Sequence, residues 1–191
     1  MTQRVYFLVS ILVAAIGLTV STLATSQSLD GTLIVSNRTG GSISFIDLIT
    51  GVEVARVPVG PIIPHEVDVS PDGKWVVFDL LGHVYRVGSG GGDATPLTQG
   101  SGIAVNFHPR FSPNGESIAF VSDRAGQNNL WVMDADGSNP RPVMEDQTVR
   151  VVEPSWTADG EYIVVRRRQL GRQGESGIWM YHRDGGQGIA L

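Results

Sequence analysis

Apolar residues in this chain come in short blocks, not along a helical stripe. Three blocks of four stand directly behind turn residues: Trp75-Val76-Val77-Phe78, Ile118-Ala119-Phe120-Val121 and Tyr162-Ile163-Val164-Val165. A near-continuous apolar run bounded by turns suits a strand covered on both faces. A further strand follows in each case and carries an aromatic residue: Val84-Tyr85-Arg86-Val87, Leu130-Trp131-Val132-Met133 and Ile178-Trp179-Met180-Tyr181. Glycine-rich turns then lead to a short outer strand. Ahead of each turn, polar and apolar residues alternate with a period of two, the mark of a strand with one packed and one polar face. The first thirty residues break this pattern with an uncharged apolar run from Val5 to Val20. The remainder is predicted to be all-β.

The turns themselves repeat. Ser70-Pro71-Asp72-Gly73-Lys74, Ser112-Pro113-Asn114-Gly115-Glu116 and Thr157-Ala158-Asp159-Gly160-Glu161 place their glycines 42 and 45 residues apart, the interval of four-stranded propeller blades. Proline presets φ at the first corner, and Asp-Gly or Asn-Gly supplies the positive φ that a tight hairpin needs. An earlier, partial unit has strands near Leu33–Ser36, Ser42–Asp47 and Val52–Val59 and lacks an innermost strand. The last unit starts a turn at Asp184-Gly185-Gly186 and reaches Leu191 within its outer strand. The expected architecture is a β-propeller of four-stranded antiparallel blades, about three and three-quarter of them, over approximately residues 31–60, 65–99, 106–146 and 151–191. Such an incomplete or open propeller exposes two sheet faces that need covering, by an improvised fourth strand that closes a four-blade ring, by other chains, or by a portion that a truncated product has lost.

Charge and composition narrow the partners. The formal net charge is -5, from 14 basic and 19 acidic residues, and no concentrated basic face emerges, which argues against nucleic acid. Arg166-Arg167-Arg168, with Arg172, is either a small anion-binding patch or a solvated run at a strand end. The absence of cysteine excludes disulfides, thiolate ligands, a cysteine nucleophile and a lipid-modified cysteine. Arg4, the run Val5 to Val20 and the small polar stretch Ser21 to Ser28 read as a secretory signal over residues 1–26, cut after Ala24 or Ser26. An uncleaved anchor is the alternative, and it alone would bring the chain to a membrane. Either way the positive-inside tendency sends the body, from about Asp30, out of the cytoplasm to a periplasmic or extracellular location.

No catalytic centre is legible. The four histidines, His65, His83, His108 and His182, are scattered, with no zinc-helix spacing, so no metal site and no cofactor are expected. Asp134-Ala135-Asp136-Gly137-Ser138-Asn139 begins like a calcium loop but lacks the downstream bidentate glutamate, and reads as a hairpin turn. There is no Gly-x-Ser-x-Gly elbow, and Gly88-Ser89-Gly90-Gly91-Gly92 joins two strands with no helix behind it to hold a phosphate.

The innermost strands carry the polar chemistry. Counting back from each turn glycine, position seven holds Glu66, His108 and Glu153, position five Asp68, Arg110 and Ser155, and position four Val69, Phe111 and Trp156. Innermost strands line a propeller's central channel. Glu66, Asp68, His108, Arg110 and Glu153 are therefore candidates to ring a channel mouth that binds a small ligand or a peptide end. Alternatively, they form inter-blade salt bridges and hydrogen bonds.

Phe111-Ser112-Pro113-Asn114-Gly115, Ile118-Ala119-Phe120-Val121-Ser122-Asp123-Arg124 and Asn129-Leu130-Trp131-Val132-Met133-Asp134-Ala135-Asp136-Gly137 resemble the repeat of TolB-type, WD-like propellers, over about residues 65 to 191. The unit from Leu33 to Val59, with Ser44-Phe45-Ile46-Asp47 and Val57-Pro58-Val59-Gly60, resembles surface-layer (YVTN-like) repeats more loosely. Val77-Phe78-Asp79-Leu80-Leu81-Gly82-His83-Val84-Tyr85, Pro109-Arg110-Phe111-Ser112 and Ile178 to Gly186 are similar to the amino-terminal propeller of exported amidohydrolases. The first resemblance implies a non-enzymatic scaffold that offers its rims to a protein partner. The last implies the front portion of a metal-dependent hydrolase whose catalytic domain is absent from this chain.

Overall fold

The computed structural model describes residues 31–37, 40–58, 65–171 and 176–191. Its strands form a row of antiparallel sheets, each a meander in which a strand pairs with its neighbour in sequence. The first sheet holds β1 (Thr32–Asn37), β2 (Ser42–Asp47) and β3 (Glu53–Pro58), and the second β4 (Val67–Val69), β5 (Trp75–Leu80), β6 (His83–Gly88) and β7 (Thr95–Pro96). The third holds β8 (Asn106–Phe111), β9 (Ser117–Ser122), β10 (Asn129–Asp134) and β11 (Arg141–Pro142), and the fourth β12 (Val149–Trp156), β13 (Tyr162–Gln169), β14 (Ser176–His182) and β15 (Ile189–Ala190). The apolar blocks are the second strands and the aromatic-bearing runs the third. This is the incomplete β-propeller that the repeat spacing predicts, and the first sheet lacks an innermost strand. The signal or anchor segment, Val59 and Gly60 of the surface-layer-like ending, and Arg172 lie outside the described residues. No helix among the described residues is long and apolar enough to cross a membrane.

Apolar packing lies between sheets and forms three seams. Ile34, Ile43, Phe45 and Val57 of the first sheet meet Val67, Val76, Phe78 and Val87 of the second. Val77 and Val84 meet Phe111, Ile118, Phe120, Trp131 and Met133 of the third. Ala119, Val121, Leu130 and Val132 meet Val149, Val151, Ile163, Val165 and Tyr181 of the fourth. Period-two alternation puts Val76 and Phe78 on one seam and Val77 on the next, which is why these strands read as unbroken apolar runs. Burying each such side chain contributes roughly 1.5–3 kcal/mol, so a sheet with one neighbour keeps about half of this stabilisation.

The three repeated turns share one hydrogen-bond scheme. Ser70 Oγ, Ser112 Oγ and Thr157 Oγ1 each accept the N–H of the first strand residue beyond the turn, Trp75, Ser117 and Tyr162, at 2.9, 2.9 and 3.0 Å. Each hydroxyl also donates to the turn acid or amide, Asp72, Asn114 or Asp159. That donation, with the Lys74 N–H and ammonium, holds the Asp72 carboxyl down at about 2. The turns also nest: a side chain on Gly115 would meet Pro71 Cδ at 3.3 Å, and one on Gly160 would meet Pro113 Cδ at 3.6 Å. Arginine struts, one from a third strand and one from an outermost strand, bridge the same boundaries. Arg86 donates to Ala135 O and Arg141 to Arg183 O, both at 2.7 Å, and each acceptor is the first residue past its sheet's third strand. The outermost β7 and β11 are two residues long and end in proline, which cannot donate to a further strand.

Candidate functional site

Two of the three innermost strands depart from strict alternation. The pairing of β8 with β9 shifts register between Phe107 and Arg110, and that of β12 with β13 between Val152 and Ser155. The bulged residues, His108 and Glu153, take left-handed φ values of 54° and 57°. Each precedes a proline, Pro109 or Pro154, whose missing N–H removes a ladder bond at that point. The sequence reading placed positions seven and five on one face; the bulge breaks that alternation and turns the position-seven backbone towards the preceding sheet.

The five candidate residues meet across sheet boundaries. Arg110 Nη2 lies 2.8 Å from Glu66 Oε2, with both side chains partly buried. Asp68 Oδ2 accepts the Phe111 N–H at 2.8 Å. His108 Nδ1 accepts the Glu153 N–H at 3.1 Å, and the Glu153 carboxylate lies 3.1 Å from Arg166. Trp156 Nε1 donates to Arg110 O at 3.1 Å. A polar chain thus runs from β4 through β8 to β12.

Asp79, which sequence reasoning did not select, organises one end of this chain. It sits on β5 and is 4% exposed. Its Oδ1 accepts the N–H groups of His65 and Glu66 at 3.1 and 3.0 Å, and its Oδ2 accepts that of His108 at 2.9 Å. One carboxylate therefore clamps the start of the second sheet's inner strand to the bulge of the third. The signal was present in Trp75-Val76-Val77-Phe78-Asp79-Leu80: an acid inside a doubly buried strand has to be paired.

Burial dominates the site's electrostatics. It pushes the Asp68 carboxyl above its ordinary range, and the Phe111 N–H and the Arg110 charge offset this in part. The same desolvation pulls His108 below the usual imidazole value against the opposing pull of Glu66 and Asp79. A neutral imidazole fits its geometry, because Nδ1 is an acceptor.

Other candidates resolve differently. In the run 166–168, Arg167 faces the third sheet, 4.0 Å over the Trp179 ring and 3.3 Å from Asp146, while Arg166 and Arg168 face the other way. In the loop after β10, Asp134 Oδ2 accepts from Asn139 and Ser138, and Asp136 Oδ1 from the Ser138 N–H and hydroxyl, which is a hairpin turn satisfied by its own donors. No group of three or more acidic, histidine or cysteine side chains among the described residues could hold a metal ion. A groove lined by Asp146, Arg167, Trp179, Tyr181 and Gly186 to Gly188 runs beside the third seam, with the Trp179 face covered by Arg167.

Comparison with known proteins agrees with this architecture. The family described as Lipoprotein LpqB beta-propeller domain matches residues 82–177, half of the chain. A relative from Bacillus subtilis, "Uncharacterized peptidase YuxL", is 36% identical over 83 residues, which is 43% of this chain and 12% of that protein. "Probable dipeptidyl-peptidase 5" of Aspergillus niger is 27% identical over 175 residues, 79% of this chain and 24% of that protein. The chain therefore spans a quarter or less of these curated relatives. Among solved structures, TolB from Acinetobacter baumannii superposes with a TM-score of 0.60 at 21% identity, over 78% of this chain and 37% of that one.

Proposed function

Since the chain belongs to the lipoprotein LpqB β-propeller domain family, we propose that it is an exported, non-catalytic propeller scaffold whose inner strands bind a protein partner or a small ligand. The carrying observation is Asp68. It lies beside the Glu66–Arg110 ion pair, its Oδ2 accepts the Phe111 N–H of the next sheet at 2.8 Å, and burial raises its carboxyl above the ordinary range. Polar groups that oppose folding stability and face a channel are characteristic of a recognition surface. The array Glu66, Asp68, His108, Arg110 and Glu153 offers a guanidinium beside carboxylates, a pattern that suits a peptide end, either an amine against the carboxylates or a carboxylate against the guanidinium.

The test is a titration of the whole chain with short peptides that have free or blocked termini, followed by amide chemical shifts. Binding that requires a free terminus and disappears in a Glu66→Gln, Arg110→Gln double variant supports the reading. Partner and peptide interactions that remain intact in that variant overturn it.

A second reading has its own support: relatives at 36% and 27% identity are named as peptidases, and this chain matches a small share of each. In that reading the chain is the propeller portion of a longer hydrolase, of which a metal-dependent amidohydrolase is the version that the sequence resemblance suggests. Peptidase and amidase assays on the isolated chain, with and without added divalent metal, would then show no turnover, while a longer form would be active.

A further inference from the structure

We propose that the face of the fourth sheet turned away from the third holds a site for a small organic anion carrying at least two carboxylates, gripped by Arg150, Arg166 and Arg168. This goes beyond the scaffold reading, and its site meets the inner-strand array only at Glu153, which pairs with Arg166.

Alternation along β12 and β13 creates the site. Val149, Val151, Ile163 and Val165 point into the seam with the third sheet, so Arg150, Val152, Arg166 and Arg168 occupy the opposite face. There they line, with Asn128 and Ser176, a cavity of about 450 Å³, within the size range of small-molecule sites.

The charge arrangement is one that folding alone does not favour. Arg150 and Arg168 are register partners directly opposite each other on adjacent strands, where side chains start about 5 Å apart and like charges repel. Arg166 stands two residues along β13, roughly 7 Å away. Among the described residues a single carboxylate, Glu153, pairs with the three guanidinium groups, at 3.1 Å from Arg166. The contact of Arg150 is neutral, from Nε to Gln127 Oε1 at 3.2 Å. Arg167, one position between Arg166 and Arg168, is by contrast fully engaged by Trp179 and Asp146.

A planar guanidinium fork grips a carboxylate with two parallel bonds. One carboxylate between Arg150 and Arg168 relieves their repulsion, and a second, on a short carbon chain, reaches Arg166. The amide of Asn128 and the hydroxyl of Ser176 remain for the anion's other oxygens, and Val152 supplies an apolar floor.

The test titrates the whole chain with citrate and glutarate, using acetate and pyrophosphate as comparators at constant ionic strength, and reads binding by calorimetry. Citrate and glutarate are expected to bind at least tenfold more tightly than acetate. Arg150→Gln and Arg168→Gln should each weaken citrate at least tenfold, whereas Arg141→Gln, on the third sheet, should not. Both active-face variants remove repulsion and should melt no lower than the parent. Should either fail to fold, Glu153→Gln takes its place, and it should tighten citrate by freeing Arg166. Acetate matching citrate, an unchanged affinity in the arginine variants, or pyrophosphate binding tenfold more tightly than citrate overturns the proposal. So does a dimer that buries this face and dissociates in Arg168→Gln. Loss of peptide binding in the Glu66, Arg110 double variant leaves all these readouts unmoved, so the two readings fail separately.

Discussion

Asp79 Oδ2 accepts the backbone N–H of His108 at 2.9 Å across the boundary between the second and third sheets. Its other oxygen holds the N–H groups of His65 and Glu66 at the head of the second sheet's inner strand. Removing the carboxylate leaves the Glu66 and His108 N–H groups without this acceptor, while that of His65 keeps the Asp79 carbonyl at 3.4 Å, and an orphaned buried donor costs about 1–3 kcal/mol. Asp79→Ala is therefore expected to lower stability by about 2–4 kcal/mol. Asp79→Asn keeps one acceptor oxygen and should cost roughly half as much. Urea midpoints at neutral pH measure both, and an Ala variant as stable as the parent would remove the clamp from the account of how these sheets are joined.

Gly115 and Gly160 have nearly the same backbone, with φ of 76° and 74°, but not the same room. A left-handed conformation costs a side-chain-bearing residue about 1–2 kcal/mol, and both Gly→Ala variants should lose this much. Gly115→Ala also presses on Pro71 Cδ at 3.3 Å, where Gly160→Ala makes an ordinary contact with Pro113 at 3.6 Å. Thermal melts are expected to rank Gly115→Ala as the more damaging. Equal melting temperatures would mean that the turns do not nest as tightly as they are placed.

The fold was largely legible because the repeat is written in local chemistry. Ser-Pro-Asp-Gly dictates a turn without reference to the rest of the chain, and a block such as Ile118 to Val121 has to be covered on both faces wherever it sits. The site was less legible because it depends on which residues meet across a boundary. Glu66 and Arg110 are selected by counting back from a glycine, yet their contact requires two sheets to be docked. The bulges at His108 and Glu153 escaped the period-two reading, since alternation assumes an unbroken ladder; the following prolines were the local sign. Asp79 stands directly behind the apolar block Trp75 to Phe78, on a second strand, whereas only the innermost strands were read for polar groups. Arg167 was grouped with Arg166 and Arg168 as one basic patch, although a strand sends adjacent residues to opposite faces.

His108 gives the inner strands a pH dependence of defined sign. Its folded value lies below the ordinary imidazole value because of burial, so as pH falls through about 6.5 the unfolded chain binds a proton before the folded one does. Its contribution to stability is complete above that value and is lost as pH falls towards the folded value. Protonation of Nδ1 also removes the acceptor for the Glu153 N–H. Unfolding free energies between pH 7.5 and 5 are expected to fall, and His108→Gln should flatten that slope. A slope that persists unchanged in the variant would assign it to another histidine.

Asp68 acts with the opposite sign. Burial raises its folded value, so as pH rises from about 3.8 the unfolded chain loses its proton first, and stability declines until the folded carboxyl has ionised as well. Burial thus disfavours the charged form of this carboxyl, while Oδ2 serves as acceptor for the Phe111 N–H. Asp68→Asn keeps a carbonyl oxygen for that bond and removes the charge, so it should match or exceed the parent's stability at pH 7. Asp68→Ala leaves the donor orphaned and should cost about 1–2 kcal/mol. The pair separates two roles that a single substitution would confuse. If Asn were as harmful as Ala, the charge itself would be stabilising through Arg110, and the case for Asp68 as a recognition group held against folding would fail.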